Sequence, residues 1–395
     1  MFGLIKKVLD KYRDNFEEGG NLEKFYPIFE ATDTILFSTN EVTRSGPHIR
    51  DSIDTKRIMI LVVITLLPLY IFGAINVGYQ KSLTFGYSSS WFENLVTGLI
   101  SITPIIAVTF MSGAFWELLF GIVRKHPISE GFLVTCALIP LTLPPSIPLW
   151  QVAVATSFGI VIGKEIFGGV GMNIFNPALM ARAFLYFTYP VDISGDKVWA
   201  LAPDGYSGPT ALSIAAGQKN ANALDLLNKA SADLDFDYSW INMFFGWIPG
   251  SIGETNKIII ILGAAFLILV GITSWRVMVG SVIGLFAMGY LMNLLSPYSS
   301  NAMLSIPPHY HLVMGSFLFG TVFMATEPVT GAHTDTGRWI FGFLVGVLTV
   351  IIRSVNPAYP EGIMLAILLM NAFSPLIDYF VVQSNIKKRM VRYAQ

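Results

Sequence analysis

A hydroxyl-rich stretch at residues 204–213 (DGYSGPTALS) has side chains and spacing that suit covalent chemistry. Its two glycines free the backbone for tight turns. Ser207, Thr210 and Ser213 supply hydroxyl groups, which donate hydrogen bonds or serve as nucleophiles. A turn in which Thr210 or Ser213 caps a short helix explains the same residues without any chemistry. The residues alone favour this helix cap.

Two asparagines flank Phe175 at the start of a short apolar segment, and the second of them precedes Pro177. The amide side chains of Asn173 and Asn176 can pair with both the donor and the acceptor edges of a flat heterocycle. An asparagine before a proline is also typical of a helix N-cap. The residues alone leave a binding role and a capping role equally open.

Three acidic residues lie in or beside apolar segments: Glu117, Glu327 and Asp378. Acids in such positions are costly and usually mark ion pathways. Glu327 precedes Pro328, where a freed helix end and a carboxylate could coordinate sodium. The alternatives are a solvated loop acid for Glu327 and an ion pair with a nearby base for Glu117.

Other polar residues have simpler interpretations. Residues 113–116 (GAFW) form a small and aromatic cluster that could anchor a helix at a membrane interface. Lys164, Glu165 and Arg182 could neutralise one another near the asparagines. His309 and His311 have no third ligand nearby in the sequence, so we expect interface residues more than metal ligands.

The chain that must position these residues has a membrane composition. Of its 395 residues, 53% are hydrophobic and 13% are charged, whereas soluble domains carry about 25% charged residues. Ten apolar stretches are candidates for membrane helices. They lie at 57–77, 94–121, 128–143, 149–167, 174–189, 256–273, 276–295, 310–326, 338–355 and 360–382. The sequence therefore predicts an all-α polytopic membrane protein with about ten transmembrane helices.

Charge distribution and weak internal similarity predict the organisation of these helices. Basic residues cluster near both termini, which places both in the cytoplasm under the positive-inside rule. Residues 190–255 are acidic and are expected outside. Gly- and Pro-interrupted segments recur in the two halves, which predicts two pseudo-symmetric five-helix halves around a site near the membrane midplane. The predicted divisions are a cytoplasmic arm at 1–56, a first half at 57–189, the external loop at 190–255, a second half at 256–382 and a basic cytoplasmic tail at 383–395.

Two functional classes fit this plan. A secondary transporter or channel is one, because broken helices in an inverted repeat are typical of transporters. A redox subunit is the other. The chain has no P-loop, no dinucleotide-binding glycine pattern and no CxxC pair, so NADH oxidation and iron–sulfur chemistry would have to take place in partner proteins. Nothing in the composition indicates nucleic-acid binding.

The pattern Asp-x-x-Ser-Gly-x-Thr at 204–210 resembles the flavinylation motif of the B subunits of sodium-translocating NADH:quinone oxidoreductases and the related Rnf D subunits. The resemblance extends to residues 22–26 (LEKFY), which favour the former over the Rnf relatives, and to 45–57, 115–117 and 164–183. It implies that Thr210 carries FMN through a phosphoester. Asp204, Ser207 and Gly208 would form the recognition context. Members of the family usually have alanine before the threonine, where this chain has Pro209.

The resemblance also implies the remaining cofactors and partners. Noncovalent riboflavin would bind beside Asn173 and Asn176, and ubiquinone or menaquinone would bind at Gly113, Ala114, Phe115 and Trp116, where the family has a Gly-Gly pair. Sodium would follow a pathway that includes Glu117, Glu327 and Asp378. The chain would work with the A, C, D, E and F subunits of a six-subunit translocase in the bacterial inner membrane. Electrons would pass from FMN through riboflavin to quinone, coupled to sodium transport.

Overall fold

The computed structural model describes residues 10–13, 15–16, 20, 22, 26, 29, 46, 55–124, 131–203, 205–216, 218–357 and 359–393. Most of the arm predicted at 1–56 lies outside these residues, as does Asp204. The described residues form helices and connecting turns, and their one β-type contact is an isolated bridge between Lys219 and Asn301.

Between residues 55 and 189, the described part of the chain contains five α-helices, which precede a long loop. They are α1 (Thr55–Thr84), α2 (Trp91–Arg124), α3 (Gly131–Leu141), α4 (Leu149–Val161) and α5 (Pro177–Thr188). The loop itself contains α6 (Pro190–Ile193), α7 (Ala211–Ala216), α8 (Ala223–Asp233) and α9 (Trp240–Phe245). Six helices follow it: α10 (Lys257–Val270), α11 (Trp275–Leu295), α12 (Pro308–Val313), α13 (Phe317–Phe323), α14 (Asp335–Val355) and α15 (Ile363–Tyr393).

Every predicted apolar stretch contains a helix, but fewer than ten of these helices are long. Within the described residues, six helical segments are long and apolar enough to cross a membrane, and they correspond to α1, α2, α4, α11, α14 and α15. Helices α3 and α10 are apolar but shorter. The stretch predicted at 310–326 is divided into α12 and α13 by a break at Met314–Ser316. The chain therefore has the helical architecture of a polytopic membrane protein, with six clear spans.

Glycines allow the main helix pairs to approach closely. A Cβ atom on Gly346 of α14 would lie 2.0 Å from the Ser281 carbonyl oxygen of α11, and one on Gly284 would lie 2.1 Å from the Phe343 carbonyl oxygen. Between α1 and α2, Gly98 is equally tight against Ala74. Small residues spaced four apart are how membrane helices bring their backbones together. Van der Waals contact along these faces holds the long helices side by side.

Three helix pairings recur before and after the loop, although α1 also packs extensively on α2 and the corresponding helices α10 and α11 do not pack in this way. Before it, α1 packs on α3, α2 on α4, and α4 on α5. After it, α10 packs on α13, α11 on α14, and α14 on α15. The two series also meet directly, since α10 contacts α1 and α15 contacts α5. Helix α15 continues to Tyr393, so the segment predicted as a separate tail is an extension of the last helix.

The 190–255 loop folds over one end of the helices and has an apolar core of its own. This core includes Leu212, Phe236 and Met243 from the loop together with Met303 and Met314 from the segment between α11 and α13. We call this end of the bundle the loop end. The other end, where α1 begins and α15 ends, is the terminal end.

Substituting Gly346 by alanine should destabilise the helix pair α11–α14, because the new methyl group would overlap the Ser281 carbonyl and push the helices apart. Overpacking of this kind costs about 1–3 kcal/mol. Thermal unfolding of the detergent-solubilised complex would show a lower melting temperature for Gly346→Ala. Ala287→Leu, on the exposed face of α11, is the matched control. Equal melting temperatures in the two variants would contradict close glycine packing.

Candidate functional site

Thr210 lies at the start of α7, on the surface of the loop end. Its Oγ1 accepts a hydrogen bond from the Ser213 backbone N–H at 3.2 Å, and the Ser213 hydroxyl donates to the Thr210 carbonyl at 2.9 Å. The helix-capping role expected for this threonine is therefore present. The side chain remains partly exposed. Its oxygen acts as a hydrogen-bond acceptor here, so the hydroxyl is available for reaction with a group that approaches from solvent.

The turn that leads to Thr210 is fixed on several sides. Gly205 has a φ of +88°, which favours glycine. The Gly208 N–H donates to the Asp196 carbonyl at 2.7 Å, and the Tyr238 hydroxyl donates to the Pro209 carbonyl at 2.5 Å. Burial raises the pKa of Tyr238 above its usual value, so its hydroxyl stays protonated and keeps donating at neutral pH. The loop presents Thr210 from a rigid base.

Asn173 and Asn176 meet Glu327 at the terminal end, although more than 150 residues separate them in sequence. Asn173 Nδ2 donates to Glu327 Oε1 at 3.2 Å and to the Phe175 carbonyl at 3.1 Å. Asn176 Oδ1 accepts from the N–H groups of Ala178 and Leu179. Asn176 is thus the N-cap of α5.

These three residues line a cleft between the two series of helices. The cleft also receives apolar side chains from α1, α3, α10 and α13, which include Met59, Leu138, Leu267 and Phe323. An apolar cleft with a few converging polar groups is the usual form of a small-molecule site. The amides supply donors, and the Glu327 carboxylate supplies an acceptor or a negative charge.

Glu327 is held by neutral groups. Thr330 Oγ1 donates to its Oε2 at 2.9 Å, in addition to the bond from Asn173. Among the described residues, no Lys, Arg or His nitrogen forms an ion pair with this carboxylate. A partly buried carboxylate without a basic partner is a good ligand for a hard cation. It is not the solvated loop acid that was the alternative in the sequence.

Glu117 has the opposite environment, because a buried base neutralises it. The Lys164 ammonium donates to both carboxylate oxygens of Glu117, at 2.7 and 2.5 Å, and each side chain is only 2% exposed. Lys164 also lies 3.3 Å from Glu165, whose carbonyl accepts from Arg124 at 2.7 Å. The four charges balance. Arg182, expected in this group, lies in a different cluster.

Residues 113–116 divide between the inside and the outside of the bundle. Gly113 is closely packed, since a Cβ there would lie 2.4 Å from Cys136 Sγ and 2.8 Å from the Phe132 ring. Phe115 faces outward and is 59% exposed. Its ring packs edge-on against Trp116. Gly113 therefore serves close helix packing, and Phe115 lies on the outward face of α2.

Asp378 joins the last helix to the start of α14. Its carboxylate accepts hydrogen bonds from the N–H groups of His333 and Thr334, at 2.7 and 3.0 Å, and from the Thr334 hydroxyl at 2.5 Å. Thr334 in turn caps α14 through the Gly337 N–H. Asp378 thus has a structural task at the terminal end and a carboxylate that remains partly exposed.

A second buried charge cluster lies at the loop end and was not anticipated from the sequence. It contains five ionisable residues from distant parts of the chain: Arg182, Glu254, Lys257, Arg353 and Glu361. His311 is also fully buried here and contacts Arg353, so the expectation of an interface histidine was wrong for this residue. Glu254, Lys257 and Glu361 lie just before or at the start of apolar helices, and this position was the signal that could have indicated part of the cluster.

Comparison with known proteins identifies the family. The model of the NQR2, RnfD, RnfE family matches residues 42–387. The B subunit of a Na(+)-translocating NADH-quinone reductase from Chromohalobacter salexigens is 49% identical, over 99% of this chain and 97% of its own length. Proteins of the same name from Azotobacter vinelandii and Pseudomonas paraeruginosa are 48% and 46% identical, over 98% of this chain and 99% of their own. This chain belongs to the NQR2, RnfD, RnfE family.

Proposed function

We propose that this chain is a membrane redox subunit of a sodium-pumping NADH:quinone reductase, a translocase of the bacterial inner membrane. It would receive electrons on FMN bound covalently to Thr210, pass them to riboflavin beside Asn173 and Asn176, and deliver them to ubiquinone or menaquinone at α2. The relatives named above support the activity. The observation that carries the proposal for this chain is a partly exposed threonine hydroxyl in a flavinylation-type motif on a fixed loop.

The geometry around Thr210 fits a phosphoester. Thr210 Oγ1 would form the bond to phosphorus, and its proton would leave with the group displaced from the flavin donor. The ester oxygen keeps a lone pair with which it can still accept from the Ser213 N–H, so the helix cap survives. Pro209 has no N–H, and its carbonyl is already bonded to Tyr238, so proline in place of alanine leaves the hydroxyl accessible.

Riboflavin would bind in the cleft at the terminal end. The Asn173 and Asn176 amides would pair with the polar edge of the ring, and the apolar side chains of the cleft would contact its faces. Bound flavins supply the one- and two-electron redox chemistry, and the protein supplies position and electrostatics. The outward-facing Phe115 and Trp116 would contact quinone at the surface of α2, where an apolar substrate can enter from lipid.

The three acids have different prospects as sodium ligands. Glu327 is the strongest, because it has hydrogen-bond donors but no basic partner among the described residues. Glu117 can bind sodium only when its ion pair with Lys164 opens. Asp378 would combine a cation contact with its bonds to the start of α14. We therefore place Glu327 at the centre of the sodium pathway, with Glu117 and Asp378 along it.

Orientation and assembly follow the same proposal. The basic residues Arg57, Arg124, Arg276 and Arg338 and the basic end of α15 all belong to the terminal end, so this end and both termini would face the cytoplasm. The acidic loop at 190–255 would face outside. The three helix pairings that recur in 57–189 and 256–382 support two related halves. The A, C, D, E and F subunits would provide NADH oxidation and the remaining electron carriers.

The test of this function is covalent flavin. Thr210→Ala should abolish the flavin fluorescence that the wild-type chain keeps after denaturation in SDS, because the ester oxygen is lost. Thr210→Asn is the sharper variant, since asparagine retains the helix cap but cannot form the ester, and it should be equally dark. Ser213→Ala is the control, because it removes a neighbouring hydroxyl outside the recognition context and keeps the backbone N–H that donates to Thr210; it should retain the fluorescence.

Two results would contradict this assignment. Fluorescence that persists in Thr210→Asn would move the attachment site elsewhere. A wild-type chain that is itself dark, when purified from cells that flavinylate this family, would favour a transporter without flavin.

Riboflavin binding can be tested by replacing the two asparagines with residues that preserve the N-cap of α5. Asn176→Asp keeps the capping oxygen but loses the amide donor, and Asn173→Leu removes the other donor. The double variant should lose most of the noncovalent flavin and reduce quinone slowly, while covalent FMN stays at the wild-type level. Flavin extracted with acid and separated chromatographically measures both pools. Full riboflavin content in the double variant would return both asparagines to a purely structural role.

A further inference from the structure

At the break between α12 and α13, two basic side chains donate hydrogen bonds to backbone carbonyl oxygens. Arg353 donates to the His311 carbonyl at 2.7 Å and to the Met314 carbonyl at 3.0 Å. Lys257 donates to the Gly315 carbonyl at 3.1 Å. Broken membrane helices commonly use such carbonyls to coordinate cations. Here the cations belong to the protein itself and come from α14 and α10.

At the same break, a carboxylate accepts hydrogen bonds from the backbone N–H and the side chain of Ser316. The Glu361 carboxylate accepts from the Ser316 N–H at 3.1 Å and from the Ser316 hydroxyl at 2.6 Å. Arg353 closes the arrangement through its Nε, which donates to the Glu361 carbonyl at 2.9 Å. We call Arg353, Lys257 and Glu361 the break clamp. All three side chains are buried, with Arg353 at 0% exposure.

Burying these charges is expensive, and it is tolerated only when they are well bonded. The clamp uses its bonds to fix a single short element, since every one of the contacts above falls on residues 311–316 or on the clamp itself. Gly315 adds a steric limit, because a Cβ there would lie 2.6 Å from the Glu361 carboxylate and 2.7 Å from Leu212. These contacts therefore fix the start of α13 at the loop end.

Helix α13 transmits that position to the terminal end. Its seven residues span about 10 Å at 1.5 Å per residue. A tight turn follows it, in which the Ala325 N–H donates to the Gly320 carbonyl at 2.8 Å and the Thr326 hydroxyl donates to the Val322 carbonyl at 2.6 Å. Glu327 comes next. A shift of α13 along the bundle would therefore move the Glu327 carboxylate relative to Asn173.

We propose that Arg353 is a positioning residue for sodium binding. It holds the start of α13 at the loop end, so that Glu327, which follows α13, contacts Asn173 at the terminal end. This inference rests on the proposed sodium role of Glu327. It assigns a function to a buried arginine that contacts neither a proposed flavin nor a proposed sodium ligand.

The decisive variant is Arg353→Lys in the assembled complex. Lysine keeps the positive charge but cannot donate to three carbonyls in the fork geometry of a guanidinium. The half-saturating sodium concentration for quinone reduction should rise by about fivefold, within the range that residues outside a binding site can cause. Covalent FMN and riboflavin content should match the wild type. Tyr359→Phe is the matched control, because the Tyr359 hydroxyl is buried beside the clamp and makes no hydrogen bond within the described residues.

A double-variant cycle separates this inference from the proposed function. Glu327→Gln alone should raise the half-saturating sodium concentration, and adding Arg353→Lys should raise it little further, because both changes act through the same carboxylate. If Glu327→Gln has no effect on sodium, the proposed sodium role fails. If Glu327→Gln has its effect but Arg353→Lys leaves sodium affinity unchanged, or if the two effects multiply, the positioning role is wrong.

A milder change keeps the test decisive if Arg353→Lys reduces assembly. Ser316→Ala removes one of the two bonds to Glu361 and leaves the backbone N–H in place. It should assemble normally and raise the half-saturating sodium concentration about twofold. Normal assembly with unchanged sodium affinity in Ser316→Ala would overturn the inference, and so would loss of assembly, which would make the clamp a requirement for folding alone.

Discussion

The architecture depends on one requirement: charges buried among apolar helices must be neutralised or fully hydrogen-bonded. At the terminal end, Lys164 neutralises Glu117 through two short hydrogen bonds. At the loop end, Arg353 and Lys257 satisfy carbonyls at a helix break, while Glu361 satisfies its amide. Each cluster draws residues from helices far apart in sequence. The Glu117–Lys164 pair fixes α2 against the end of α4 within the first series, whereas the loop-end cluster brings Arg182 of the first series together with Glu254 and Glu361. Apolar packing alone would leave the fit between the helices much less specific.

Glu327 differs from these neutralised clusters in its hydrogen-bonding partners. It is partly buried and receives hydrogen bonds from Asn173 and Thr330, but no base among the described residues pairs with it. In the proposed function, a sodium ion would bind at this carboxylate. The same asparagine faces the cleft proposed for riboflavin, so a change of charge on the flavin and the occupancy of the carboxylate would act on one hydrogen-bond network. Coupling between electron transfer and sodium then needs no long pathway through the protein.

Hydropathy predicted the helical membrane class and located every apolar helix, because burial in lipid demands long apolar segments. Several of the ten predicted helices were expected to be too short or too broken for plain spans, and α3 and the divided pair α12 and α13 are of this kind. The sequence also offered capping as an alternative at Thr210 and Asn176, and both residues do cap helices. The sequence could not predict that Arg182 lies in the cluster of Glu361 and not in that of Lys164, because such contacts connect helices that are distant in sequence. Local patterns carry no information about that pairing.

Covalent FMN at Thr210 remains the central claim, since it separates a redox subunit from a transporter of similar architecture. The most direct measurement is the mass of the purified chain, followed by the mass of the peptide that contains residues 205–216. Our account predicts that both are heavier than the sequence by one FMN less one water, and that fragmentation places the addition on Thr210. An unmodified mass for the chain in a complex that still reduces quinone at the full rate would contradict it.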